Sequence, residues 1–173
     1  MIYAVNDGQR ITATPGGAAV CPSCGSPVVA KCGKIKVWHW SHSTRDCDSW
    51  SEGMTEWHAS WQYLFPIEWR EVVIRRGGQF HRADVLLPNG RVVEFQHSSI
   101  GVGEIREREQ FYQNMIWVFD VRDAFHNDRL ILRNRGTHFN FRWKHPRLSI
   151  AFARCQVYLQ YGQRELLELG GMW

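Results

Sequence analysis

Cys21 and Cys24 stand in a Cys-Pro-Ser-Cys-Gly knuckle, and His39, His42 and Cys47 follow a short way along the chain. Two thiolates with two further sulfur or nitrogen donors complete the tetrahedral shell that Zn²⁺ prefers, and a segment this small has little core of its own to hold it together. The His-x-x-His spacing is shorter than the usual three to five intervening residues, so Cys47 competes with one imidazole for a place in the shell. Cys32 lies inside a hairpin-like stretch and is the poorer ligand. A redox role fits least, because the Cys-x-x-Cys neither opens a helix after a strand nor lies in a βαβ pattern. Without a metal, the same residues read as buried thiols packed beside Trp-flanked histidines.

A second group lies between His81 and Ser98, where Asp84, Glu94 and Gln96 sit among apolar and β-branched residues on either side of Pro88-Asn89-Gly90. That pattern predicts a β-hairpin. A two-residue turn would set Asp84 against Phe95. A three-residue turn with Gly90 left-handed sets Asp84 against Glu94 and Arg82 against Gln96, and this register is the expected one. Opposed carboxylates repel unless a cation lies between them. A hard ion such as Mg²⁺ or Mn²⁺ answers that need, activates water and steadies charge on a phosphate under attack. A surface hairpin whose acids are neutralised by Arg82 or Arg91 is the plainer alternative.

The elements that must carry these residues follow from periodicity. Residues 1–19 predict a short strand and a Gly-rich loop, and Val28 to Val37 a hairpin around Gly33. Trp57, Trp61, Leu64 and Phe65 recur at helical spacing from Met54 to Phe65, with Thr55 as cap and Pro66 as stop. Glu56 and His58 are the positions on that helix open to function. A strand to Arg76, a Gly77-Gly78 turn and the acidic hairpin come next. Ser98-Ser99 can cap a helix over Val102–Asn114, on which Arg108 and Tyr112 share a face. Met115–Asp120 is the continuous apolar run of a buried strand. The order from Met54 to Asp120 is thus αβββαβ. Beyond it, a hairpin around Gly136, strand character over Ser149–Leu159 and a helical end over Gln163–Leu169 are expected.

The chain has 173 residues, 44% of them hydrophobic, enough for one substantial core and a small appended module. The organisation read from these shifts is a zinc-binding module over 1–49 and a main domain over 50–173, with an extension from about residue 121. No apolar run is long enough to cross a bilayer and the first residues lack a signal-peptide pattern, so no membrane partner and a cytoplasmic location are expected. Five cysteines in such a setting point to metal rather than to a disulfide framework. A net charge of +4 favours a polyanionic partner. Asn134 to Arg147, rich in Arg, Lys, His and aromatics, suits backbone contact and base stacking, and equally a solvated β-edge. No motif fixes an oligomeric state.

The succession CPSC, WHWSH, DCD, TEWHASW, HRADV, VEFQHS, REQFY and MIWVFD resembles the CoiA-like competence proteins, from about Cys21 to Asp120. The resemblance implies an N-terminal zinc-binding module joined to a restriction-endonuclease-like mixed β-sheet core of the PD-(D/E)xK class, α+β or α/β in type. It gives Asp84 the first acidic position, Glu94 the second and Gln96 the place of the lysine. Glu56 with His58 falls on the acidic first helix, with Glu52 a competing acid. Cys21, Cys24, His39 and His42 fall on the zinc positions. Gln96 orients by hydrogen bonds but brings no positive charge. Gln62 stands where related chains often carry lysine. The expected activity is metal-dependent hydrolysis of DNA, with structural Zn²⁺, catalytic Mg²⁺ or Mn²⁺, and His81, Arg82 and Arg108 as candidates for phosphate contact. The rival expectation is a zinc-stabilised DNA-binding or adaptor protein on the same scaffold that no longer cuts.

Overall fold

A computed structural model describes residues 1–51 and 53–170. Glu52, the competing helix acid, lies outside the described residues. The protein is mixed α+β, with several sheets and few helices, and divides into two compact units, Met1–Gly90 and Arg91–Trp173.

The first unit begins with strands β1 (Tyr3–Asn6), β2 (Gln9–Thr12), β3 (Ala18–Val20), β4 (Pro27–Lys31) and β5 (His39–Ser41), which form a five-stranded antiparallel sheet in the order β2-β1-β3-β4-β5. Where one strand and a loop were expected over 1–19, there are three strands. Asp7 and Gly8, both at positive φ, close a two-residue turn between β1 and β2, the conformation that matches strand twist. Trp40, Met1, Ala4, Ala19, Cys21 and Val28 form the small core beneath it. The expected hairpin around Gly33 resolves into β4 and β5, paired antiparallel across residues 32–38.

Helix α1 spans Glu56–Gln62, and the Thr55 hydroxyl accepts from the His58 amide at 3.1 Å. The expected helix ran on to Phe65. Instead α1 ends at Gln62 and closes in a tightened turn, the Leu64 and Phe65 amides bonding the Trp61 and Gln62 carbonyls at 3.1 Å, and Leu64 is exposed; a 3₁₀ turn at Ile67–Trp69 follows Pro66. Strands β6 (Arg70–Arg76) and β7 (Gln79–Leu86) then form an antiparallel hairpin over Gly77-Gly78. Both glycines have positive φ, which only a residue without Cβ adopts at no steric cost. Gly90 has the left-handed φ of +77° that a Pro-Asn-Gly turn requires, and its amide bonds the Leu87 carbonyl.

In the second unit β8 (Val92–Gln96), β9 (Met115–Asp120) and β12 (Gln156–Gln160) are parallel neighbours, and β13 (Leu166–Glu168) pairs antiparallel to β12. β8 is buried along its whole length and β9 nearly so, as a covered parallel strand must be. Helix α2 (Val102–Tyr112) makes the crossover between them; its N-cap is Gly101, so the expected cap at Ser98-Ser99 is corrected. A short α3 (Arg122–His126) leads to β10 (Leu130–Asn134) and β11 (Phe139–Trp143), the hairpin around Gly136. Two further expectations are corrected. The strand expected over Ser149–Leu159 begins only at Gln156, as β12, after a 3₁₀ helix at Leu148–Phe152, and Leu166–Glu168 is the strand β13 rather than a helical end. Chain order from α1 through β6, β7, β8 and α2 to β9 runs as the sequence predicted.

Candidate metal centre and carboxylate site

The knuckle is built by backbone geometry. Gly25, at φ +74°, turns the chain so that its amide reaches the Cys21 carbonyl at 2.9 Å, while the Ser23 amide points at Cys21 Sγ at 3.4 Å. Strand β5 then delivers His42, and the following loop delivers Cys47. Cys21, Cys24, His42 and Cys47 bring their ligand atoms within 4.8 Å of one another.

The separations test the fit. A tetrahedron with Zn–S near 2.3 Å and Zn–N near 2.0–2.1 Å has edges of about 3.8 Å between sulfurs and about 3.5 Å between sulfur and nitrogen. Cys21 Sγ lies 3.7 Å from Cys47 Sγ, and Cys24 Sγ lies 3.4 Å from His42 Nε2. These are the spacings of ligands around one ion, and all five cysteines are free thiols. Cys47 therefore takes the place for which it competed, and His39 lies outside the cluster. The His39 ring is held by the Val37 carbonyl, 2.8 Å from Nδ1. Cys32 is also outside.

Charge points the same way. Burial pushes the Cys24 thiol up, but hydrogen bonds with Ser26, His42 and Cys47 outweigh it and bring the group down to about 6. Cys47 is held well above the ordinary thiol range by burial and by the neighbouring Cys21 and Cys24 sulfurs. Three crowded thiols cannot all ionise alone, and a dication removes that conflict. The cluster can hold a structural metal such as zinc. His42 Nδ1 lies 3.6 Å from Asp46 Oδ1, beyond hydrogen-bond distance, and has no hydrogen-bond partner among the described residues. Asp46 was not singled out from the sequence, although the Asp-Cys-Asp run around Cys47 marked it.

Asp48, the other acid of that run, is buried and ties the end of the cysteine module to β7. Its Oδ1 holds His81 Nδ1 at 2.8 Å, and its Oδ2 accepts from the Arg82 amide at 2.8 Å. Trp50 stacks on the His81 ring with centroids 3.2 Å apart. The Arg82 guanidinium reaches Ser51 Oγ at 3.2 Å. Both phosphate-contact candidates on β7 are thus engaged within this unit.

Asp84 follows two residues on. His58 Nε2 lies 2.7 Å from Asp84 Oδ1, and Gln62 Nε2 donates to the same oxygen at 3.3 Å. Positions 58 and 62 are one helical turn apart, so α1 aims both at β7. Glu56, on the first turn of α1, is solvent-exposed. Gln62 is 1% exposed, and its Oε1 has no hydrogen-bond partner among the described residues. Asp84 accepts only, which fixes the amide with nitrogen toward the carboxylate and leaves Oε1 a buried acceptor in need of a donor or a cation.

In the second unit Glu94 is buried and holds Arg108 Nη1 at 2.8 Å. Arg108, itself buried, also bonds Glu104 and lies over the Trp117 ring. Gln96 Nε2 donates to the Ser98 carbonyl at 3.2 Å. At the far end of β9, Asp120 bonds both His97 Nδ1 and Arg122.

Residues 13–49, which carry Cys21, Cys24, His42 and Cys47, match the family described as Competence protein CoiA, N-terminal domain. The resemblance to CoiA-like competence proteins is borne out over that stretch. No curated protein and no solved structure matches the chain.

Proposed function

We propose that the protein is a divalent-metal-dependent DNA phosphodiesterase with a structural zinc site, acting in a competence-related or recombination-like setting. The observation that carries the reading is the convergence of His58 and Gln62 on one oxygen of Asp84, with a buried amide oxygen left over beside it. A carboxylate so oriented, next to an unsatisfied acceptor, suits a hard cation with its waters. Asp84 would hold Mg²⁺ or Mn²⁺, and the resemblance gives Glu94 the second acidic position and Gln96 the orienting amide. The ion would supply water activation and neutralise the charge that develops on the phosphate. His58 donates its Nε2–H to Asp84 and so fixes the carboxylate. Gln62 holds the same oxygen from the next turn of the helix, whereas Glu56, exposed and two residues from His58, lies on another face of α1.

The test is cleavage of plasmid and short oligonucleotides in Mn²⁺. Cleavage that disappears in Asp84→Ala supports the reading, and undiminished cleavage in that variant, or none in the wild type, removes it. A second reading, a DNA-binding or adaptor protein that no longer cuts, is favoured by one contact. Arg108 pairs with Glu94 at 2.8 Å, supplying the cation that a metal would otherwise supply. It predicts DNA affinity that survives in Asp84→Ala and needs no divalent ion.

A further inference from the structure

The positive charge of the chain is concentrated in one place. Residues 129–147 hold six of the 21 Arg and Lys and none of the 17 Asp and Glu, so the remainder carries more acid than base. This segment is the β10–β11 hairpin, a two-stranded sheet of its own.

Its register sorts the side chains. Leu130 faces Trp143, Leu132 faces Phe141 and Asn134 faces Phe139, which gives one largely apolar face anchored by the buried Leu130. The alternate pairs, Ile131 with Arg142 and Arg133 with Asn140, give the other face, and all four residues are exposed. Arg133 and Arg142 are therefore diagonal neighbours across the ribbon, about 7–8 Å apart. Among the described residues neither guanidinium has a hydrogen-bond or ion-pair partner, whereas Arg129 pairs with Asp123 and Arg147 bonds the His97 carbonyl. The tip is fixed. The Arg135 amide bonds the His138 carbonyl at 2.9 Å, and the Gly136 amide, at φ +87°, bonds Asn134 Oδ1 at 2.7 Å. Arg135 is thus held at the end of a short, pre-shaped arm.

We propose that the β10–β11 ribbon is a duplex-DNA arm, with Arg133 and Arg142 against the phosphates of one strand and Arg135 at the leading tip. Duplex is favoured over single strand because the aromatics lie on the opposite face, leaving Arg133, Arg142, Asn140 and the aliphatic Ile131 on the outer one. That surface contacts phosphates and carries no platform on which bases could stack. A two-stranded ribbon is also narrow enough to follow the major groove. The choice of DNA as the polyanion rests on the proposed function; the arm itself does not depend on cleavage.

Binding of the full-length, zinc-loaded chain to a labelled short duplex, without Mg²⁺ or Mn²⁺ and over a range of salt, tests this. Each phosphate contact contributes about 0.9 to the slope of log affinity against log salt, so Arg133→Gln with Arg142→Gln lowers the slope by about 2 and weakens binding roughly 10- to 100-fold near 0.1 M salt. Lys34→Gln with Lys36→Gln removes the same charge from the first unit and leaves the slope unchanged. An unchanged slope in the ribbon variant, an equal loss in the lysine variant, a loss confined to single strands, or no duplex binding by the wild type overturns the proposal. A protein that cuts nothing yet loses slope in the ribbon variant keeps the arm and removes the nuclease.

Discussion

At the candidate metal centre single side chains decide the outcome. Because the ligand atoms of Cys21, Cys24, His42 and Cys47 lie within 4.8 Å of one another while His39 and Cys32 are elsewhere, variants separate cleanly. Cys47→Ser and His42→Ala are expected to lose the ion, and Cys32→Ser and His39→Ala to retain one zinc per chain, as read by metal content after desalting. At the carboxylate site, Gln62→Leu removes a donor to Asp84 and a buried orphan acceptor together. Loss of both should leave stability within about 1 kcal/mol of wild type, or raise it. A fall in Mn²⁺-dependent cleavage at unchanged stability would set Gln62 apart from an ordinary core residue. Sequence reasoning noticed Gln62 only as a departure from the family pattern, because helical spacing marks a face and cannot show an unsatisfied oxygen.

Among the elements, β6 is held to the N-terminal sheet by Glu71, alongside Arg70, which donates to the Tyr3 hydroxyl at 2.8 Å, and Arg10, which donates to the Arg70 carbonyl at 2.8 Å. Glu71 sits at φ +46° inside β6, and its carboxylate accepts from the Ile2 and Tyr3 amides at 2.8–3.0 Å. Glu71→Ala leaves two buried amides bare and should cost about 2–4 kcal/mol, measured by urea unfolding. Nothing in Arg-Glu-Val-Val advertised that role, since the contact spans 69 positions along the chain. Elsewhere local signals sufficed. Thr55 capped its helix, the apolar run 115–120 became a buried strand, and the hairpin around Gly136 formed. The Asp7-Gly8 turn was equally legible and was missed. Leu166–Glu168 could not be read locally, because Leu and Glu favour a helix and only pairing with Tyr158–Gln160 makes it a strand.

For the whole molecule, acid should be destabilising in a traceable way. Burial pushes Asp120 up, but hydrogen bonds from Arg122 and His97 outweigh it, so its carboxyl sits below the usual range. The unfolded chain then takes up this proton first. The contribution is complete above about pH 5 and is lost as pH falls through about 3.9 and on through the lower folded value. Urea midpoints against pH should show a shallower acid limb in Asp120→Asn. Among the described residues no helix is long and apolar enough to cross a membrane.

The short step from Cys47 to Asp48 gives the sulfur cluster a reach beyond its own loop. Cys47 belongs to the cluster that can hold a metal, and the next residue clasps the ring of His81 and the amide of Arg82, two positions before Asp84. Stripping the ion should therefore slacken the clasp before the unit unravels, and deuterium should enter at the Arg82 amide while the β6–β7 amides nearer Gly77 stay shielded. On the proposed function, loss of that metal would leave the fold standing while loosening the strand that carries Asp84.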